Sequence, residues 1–126
     1  MEESVFTKII KRQIPAEIHY EDDDLIVIQD INPQTPVHML IIPKKQIPTI
    51  NDATEEDRDL LGKMVLIGKQ VAKDKGISET GYKLVFNVGE EAGQTVWHIH
   101  CHVLGGREFS AEDKEKANSQ KKEVQL

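Results

Sequence analysis

Three histidines alternate with apolar residues in one short run of the chain, VWHIHCHVL at residues 96–104. Successive side chains of a β-strand point to opposite faces of its sheet. A strand here would place His98, His100 and His102 on one face and their apolar neighbours, from Trp97 to Val103, on the other. An apolar face is typical of a strand that packs against a core. The run therefore predicts a strand with one buried face and one face that carries three imidazoles.

The imidazole face favours chemistry over packing. Imidazole can act as a nucleophile, a general base or a metal ligand near neutral pH. Alternate residues of a strand lie roughly 6.5–7 Å apart, so neighbouring rings can converge on one small ligand. Gly93-Gln94-Thr95 precedes the run and Gly105-Gly106-Arg107 follows it. Backbone N–H groups in such loops can bind an anion, and imidazoles beside them suggest a reaction at phosphorus.

A metal centre is an alternative interpretation of the same histidines. His-x-His on a strand is also a pattern of zinc and iron sites. The chain contains one cysteine, Cys101, so no cysteine pair is available to complete a zinc site. We therefore expect no metal and no cofactor, while the alternation by itself leaves both interpretations open.

The composition predicts one small globular domain. The chain has 126 residues, of which 38% are hydrophobic and 30% charged. No apolar run approaches the ~20 residues of a membrane-spanning helix, and the acidic N-terminus lacks a signal-peptide pattern. A single cysteine excludes an internal disulfide and favours a reducing compartment. The net charge of −6 argues against general nucleic-acid binding. We therefore expect no membrane or nucleic-acid partner and a cytoplasmic location, with the nucleus as a second one.

The hydrophobic pattern predicts an α+β domain with five strands, one short helix and one long helix. Ser4 is a good N-cap for the short helix. Asp52 and Glu55 form a possible capping box at the start of the long helix, and Gly76 is a possible end for it. The expected domain covers 4–107, followed by a polar tail, 108–126, that is weakly helical or disordered. The predicted helices are 5–11 and 54–75, and the predicted strands are 18–20, 25–30, 38–42, 82–88 and 96–104.

The string HIHCHVLGGR at residues 98–107 resembles the signature of the histidine triad (HIT) superfamily, His-x-His-x-His-x-x. Its Gly-Gly-Arg ending is similar to the Hint branch, the nucleoside phosphoramidate hydrolases. The stretches 6–16, 30–34 and 38–45 and the residues Asn87 and 93–95 also resemble that branch. The resemblance implies a five-stranded antiparallel sheet and a homodimer in which two such sheets join. The tail is longer than is usual in the branch.

The resemblance also implies a role for each site residue. His100 matches the nucleophile, His98 and His102 match the flanking histidines that orient the phosphate, and His38 matches the fourth histidine of the family. Some relatives carry a Cys-x-x-Cys zinc motif where this chain has Ser4-Val5-Phe6-Thr7. The implied nucleotide-binding residues are Asp30 for the ribose, Ile31 and Phe6 for the base, and Asn87, Gly93, Gln94 and Thr95 for the phosphate.

The implied reaction is hydrolysis of purine nucleoside 5′-phosphoramidates, and of aminoacyl-adenylates, to a nucleoside monophosphate and an amine. It would pass through a nucleotidyl-histidine intermediate. The same residues would also serve a nucleotide-binding interaction protein with incidental catalysis, which is the alternative function. In either case the expected partners are a purine nucleotide and a second copy of the chain.

Overall fold

The computed structural model describes residues 2–109, and within them five strands form one antiparallel sheet in the order β1-β2-β3-β5-β4. A short and a long α-helix complete this part of the chain, so the predicted α+β class is confirmed. The tail from 110 onward lies outside the described residues. The elements are α1 Val5–Ile10, β1 Ile18–Glu21, β2 Leu25–Gln29, β3 Val37–Pro43, α2 Arg58–Asp74, β4 Tyr82–Val85 and β5 Cys101–Gly105.

The two central strands β2 and β3 are buried on both faces. Side chains alternate along a strand, so each face of the sheet packs against a different helix. The face toward α2 forms one core with residues Leu25, Val27, Met39, Ile41, Cys101, Val103, Met64, Val71 and Ala72. The face toward α1 forms a second, smaller core with residues Ile26, Ile28, Leu40, Ile42, Phe6 and Ile9.

The helix ends differ in part from the prediction. Ser4 caps α1 as expected, accepting a hydrogen bond from the Thr7 N–H at 3.0 Å. The long helix begins at Arg58 rather than residue 54, and the predicted capping box of Asp52 and Glu55 is wrong. Two 3-10 turns, Ile50–Asp52 and Glu55–Asp57, precede the helix, and each has its own capping box. The helix ends before Gly76 as predicted, where a backbone φ of +75° favours glycine.

The histidine strand is shorter than the sequence suggests. β5 begins at Cys101, so the prediction that one strand carries all three histidines is wrong. The N–H of Ile99 donates instead to the carbonyl of Ile47 at 2.8 Å, outside the ladder. Ile99, Cys101 and Val103 are buried as predicted, but Trp97 is 46% exposed. Of the three histidines, only His102 therefore lies in β5, and His98 and His100 precede it.

The pairing of β3 with β5 brings the fourth histidine to the triad. His38 pairs with Leu104 and Leu40 pairs with His102. Residues two apart on a strand share a face, so His38 and His102 are diagonal neighbours on one face of the sheet. No helix within residues 2–109 has both the length and the apolar character needed to cross a bilayer.

Candidate active site

A cavity of about 510 Å³ opens between α1, the loop after β2 and the loop before β5. Its volume falls within the roughly 300–1,000 Å³ typical of small-molecule sites. Three predicted site residues, His38, His98 and Gln94, are not among those that line it. The predicted residues that line the cavity are Phe6, Asp30, Ile31, Asn87, Gly93, Thr95, His100 and His102.

His100 presents an unprotonated ring nitrogen. Its Nδ1 lies 2.8 Å from the carbonyl oxygen of His98. A carbonyl can only accept, so Nδ1 carries the proton and the lone pair is on Nε2. Burial lowers the pKa of His100, against the raising effects of the His98 carbonyl and of Asp30. The ring is therefore neutral near pH 7, which is the state that a nucleophile requires.

The ring of His100 is also held by packing. The aromatic ring of Phe6 meets it edge to face, with centroids 4.9 Å apart and an interplanar angle of 74°. Phe6 is itself buried between α1 and the sheet. The nucleophile candidate is thus restrained by a hydrogen bond on one side and by an aromatic contact on the other.

His102 presents a proton. The backbone N–H of Gln34 donates to His38 Nδ1 at 3.0 Å, so His38 carries its proton on Nε2. That Nε2 lies 2.9 Å from His102 Nδ1, which must accept. The proton of a neutral His102 therefore sits on Nε2. Burial, reinforced by the neighbouring His100 and His38, lowers the pKa of His102 to about 4.

The two rings supply complementary chemistry. The centroids of His100 and His102 are 5.0 Å apart, and both rings line the cavity. One offers a lone pair and the other an N–H group to the same small volume. A nucleophile beside a donor for developing negative charge is the arrangement that displacement at phosphorus or at a carbonyl needs.

His98 is placed differently from its prediction. Its ring is fully buried and does not line the cavity. Nε2 lies 2.7 Å from the carbonyl oxygen of Pro43, and Nδ1 lies 2.6 Å from Ser4 Oγ. Both ring nitrogens therefore already have protein partners, and what His98 directs toward His100 is its backbone carbonyl.

Gln94 is also turned away from the cavity. Its side-chain N–H groups donate to the carbonyls of Pro48 at 2.7 Å and Val96 at 3.0 Å. Its side-chain oxygen accepts from the Gly89 N–H at 2.9 Å. These bonds hold the loop before β5 and leave Gly93 and Thr95 lining the cavity on either side.

Asp30 lies at the junction of the histidines and the rest of the cavity. Its Oδ1 accepts from the Asn32 N–H at 2.8 Å, and its Oδ2 lies 3.2 Å from His38 Nε2. Ile31, the predicted base contact, is 87% exposed, whereas Phe6 on the other side is 6% exposed. The predicted base slot therefore has one wall in the core and one wall open to solvent.

Sequence reasoning missed two contributors to this geometry. Gln34 sets the tautomer of His38 through its backbone, and no side-chain pattern reports a backbone contact. Ser4 contacts His98 across 94 positions of the sequence, although the only structural role that the sequence predicts for its hydroxyl is to cap a helix. Three apolar residues of the loop after α1, Ile14, Pro15 and Ala16, also line the cavity.

The metal interpretation has one structural counterpart. Among the described residues, Asp30, His38 and His102 bring possible ligand atoms within 4.8 Å of one another. Two candidate ligand atoms of this group, His38 Nε2 and His102 Nδ1, are hydrogen-bonded to each other at 2.9 Å. An ion held by these two atoms would replace that hydrogen bond, so the present geometry favours a proton between the two rings.

Comparisons with known proteins show which family this chain belongs to. The family model described as "Scavenger mRNA decapping enzyme C-term binding" matches residues 3–118. An uncharacterized HIT-like protein of Synechocystis is 54% identical over 109 residues, which are 86% of this chain and 95% of that protein. The purine nucleoside phosphoramidase of Escherichia coli K12 is 48% identical over 106 residues, 84% of this chain and 89% of that one.

A comparison with solved structures indicates the same family. A HIT family hydrolase from Legionella pneumophila superposes with a TM-score of 0.84 at 47% identity, covering 86% of this chain and 97% of that one. The triad signature, the sheet order and these relatives lead to one assignment. The chain belongs to the histidine triad superfamily.

Proposed function

We propose that this chain hydrolyses purine nucleoside 5′-phosphoramidates, as a member of the Hint branch, releasing a nucleoside monophosphate and an amine. One observation carries the proposal: the lone pair of His100 and the N–H of His102 face a cavity that is also lined by Asp30 and Phe6. The 48% identity to a protein named purine nucleoside phosphoramidase supports it. Aminoacyl-adenylates, which also carry a good leaving group on a nucleotide phosphate, are further proposed substrates.

The reaction proceeds in two displacements. His100 Nε2 attacks phosphorus and forms a P–N bond while the bond from phosphorus to the amine breaks, and the amine leaves with a proton taken from solvent, which the attacking water of the second step returns. Water then attacks the same phosphorus, the bond to His100 breaks, and the nucleoside monophosphate leaves. The N–H of His102 stabilises the negative charge on the phosphoryl oxygens in both steps. The Nδ1–H of His100 stays bonded to the His98 carbonyl, which stabilises the positive ring of the intermediate.

The remaining residues position the nucleotide. Asp30 accepts from the ribose hydroxyls, and Phe6 and Ile31 hold the base by apolar contact. The Thr95 hydroxyl and the backbone at Gly93 lie at the phosphate, and Thr95 hydrogen-bonds the leaving group. The Asn87 side chain donates to the Ala92 carbonyl at 3.0 Å, and in the proposed site it braces the phosphate loop.

Trapping the intermediate tests this mechanism. Brief incubation with an adenosine phosphoramidate, acid quench and intact mass measurement should give a nucleotidyl adduct on His100. His100→Asn should lose the adduct and nearly all turnover while it still binds AMP. His19→Asn, a histidine on β1 outside the cavity, is the matched control and should keep both.

Three outcomes would count against the mechanism. An adduct on another residue would assign a different nucleophile. Turnover abolished by a chelator would favour the metal interpretation at Asp30, His38 and His102. Tight binding of AMP without turnover of any phosphoramidate would favour the alternative function, a nucleotide-binding interaction protein.

We also propose that the chain forms a two-fold dimer through α2 and the sheet edge. Strand β4 is at the edge of the sheet in residues 2–109, and α2 exposes Val65 at 46% and Leu66 at 66%. A two-fold interface would pair the same patch on both subunits. Light scattering that shows a concentration-independent monomer would refute this. The proposed domain boundary stays at 4–107, and the proposed location is the cytoplasm with the nucleus as a second site.

A further inference from the structure

Four polar side chains from three separate parts of the sequence meet at the ring of His98, and none of them lines the cavity. Ser4 Oγ lies 2.6 Å from His98 Nδ1, and Thr7 Oγ1 lies 3.4 Å from the same atom. Thr7 Oγ1 donates to Gln46 Oε1 at 2.7 Å. The backbone N–H of Ser4 donates to Gln46 Oε1 as well, at 3.0 Å. We call these residues, Ser4, Thr7, Gln46 and His98, the α1 anchor.

The direction of each hydrogen bond in the α1 anchor is determined by its neighbours. The Pro43 carbonyl can only accept, so His98 Nε2, 2.7 Å away, carries the proton. The other nitrogen of a neutral His98, Nδ1, then accepts, and Ser4 Oγ is its donor. Burial lowers the pKa of His98, which keeps this ring neutral. Ser4 Oγ also accepts from the Thr7 N–H at 3.0 Å, so one hydroxyl both caps α1 and holds His98.

The α1 anchor connects directly to the nucleophile. The carbonyl of His98 is the acceptor for His100 Nδ1 at 2.8 Å. Helix α1 also places Phe6 against both rings, with centroid distances of 5.8 Å to His98 and 4.9 Å to His100. Rotation or displacement of His98 would therefore change the acceptor that determines which nitrogen of His100 carries the proton.

We propose that Ser4 is a positioning residue for the reaction: by donating to His98, its hydroxyl aligns the His98 carbonyl and so holds the lone pair of His100 on Nε2. The activity part of this inference rests on the proposed function, whereas the tautomer part does not. Ser4 touches neither the reacting atoms nor the cavity lining, and it acts only through His98.

Replacement of Ser4 by glycine distinguishes its two roles, the hydrogen bond to His98 and the capping of α1. Glycine is nearly as good an N-cap as serine, so Ser4→Gly removes the hydroxyl at a small cost to the helix. We expect kcat to fall about tenfold, the scale of one lost buried hydrogen bond, with KM unchanged within about twofold. Ser4→Thr retains a hydroxyl and should recover most of kcat. Thr54→Gly, which removes the cap of the 3-10 turn before α2, is the control and should leave kcat unchanged.

Nitrogen-15 NMR of the ligand-free protein supplies a readout independent of activity. In the wild type, His100 should show a protonated Nδ1 and an unprotonated Nε2. Ser4→Gly should move both resonances toward the averaged values of mixed tautomers. Gln46→Leu, which removes the acceptor of Thr7 and leaves the Ser4 hydroxyl in place, should shift them in the same direction by less.

Wild-type kcat and unchanged imidazole resonances in Ser4→Gly would overturn the inference. An equal loss of kcat in Thr54→Gly would assign the effect to general destabilisation instead. Absence of a nucleotidyl adduct on wild-type His100 would refute the proposed function, and the tautomer shifts would still decide the role of Ser4.

Discussion

Removal of the ribose hydroxyls tests the nucleotide site most directly. We expect 2′,3′-dideoxy-AMP to bind much more weakly than AMP, because its ribose has no hydroxyls to donate to Asp30, whose side chain is only 17% exposed. A carboxylate offers about four lone-pair sites. The Asn32 N–H occupies one on Oδ1, at 2.8 Å. His38 Nε2, whose proton is donated to His102, lies 3.2 Å from Oδ2 and blocks access to a second. About two sites remain for the two hydroxyls.

The magnitude follows from those two sites. A hydrogen bond to a charged group contributes about 1.5–3 kcal/mol. Taking the lower value for both hydroxyls gives about 3 kcal/mol, which corresponds to a dissociation constant about 100-fold higher for the dideoxy nucleotide. Calorimetric titration of both nucleotides into the same protein measures this ratio.

Asp30→Asn completes a double-mutant cycle. The amide has one acceptor oxygen and no charge, so the ratio between the two nucleotides should shrink to under about tenfold. Asp23→Asn makes the same change of charge at an exposed position outside the cavity and should leave the ratio at its wild-type value. If the wild type binds the two nucleotides equally, or if Asp30→Asn keeps the full ratio, Asp30 does not hold the ribose.

Three further predictions concern pH, the thiol and the base. Burial lowers the pKa of His102 from 6.5 to about 4, so the unfolded state binds more protons in this window. The contribution of His102 to the free energy of unfolding, constant above pH 6.5, should therefore fall from there to about pH 4, and urea midpoints that do not change in this window would contradict it. Burial raises the pKa of the fully buried Cys101 thiol to about 12, so iodoacetamide at pH 8 should label it only in urea, as intact mass will report. Phe6 and Ile31 offer no side-chain hydrogen bonds, so AMP and GMP should bind within about tenfold, and a stronger preference in calorimetry would reveal a contact to the base edge.

Much of the fold followed from local pattern. Continuous runs of β-branched and apolar residues predict β2 and β3, which are buried on both faces, and helical spacing of apolar residues predicts α2. The Gly76 helix end also follows from one residue, since φ there is positive. The start of α2 did not, because two short turns with equally good caps, at Thr49 and Thr54, compete with the helix for residues 50–57.

The candidate site was also predicted only in part from the sequence. The alternation of the histidines identified His100 and His102 as chemical residues, and the family resemblance added Asp30; all three line the described cavity. The alternation also grouped His98 with the other two histidines, since it treats all three alike. Tertiary contacts separate them: the Ile99 N–H bonds to Ile47, β5 starts two residues later, and the His98 ring turns to Pro43 and Ser4.

The protonation pattern was decided by tertiary structure alone. Which nitrogen of each ring carries a proton depends on the carbonyls and N–H groups it meets. For His38 that partner is the backbone of Gln34, and for His102 it is His38 itself, on another strand. A sequence pattern reports which side chains share a face, but a hydrogen bond depends on distance and direction between groups that only the folded chain brings together.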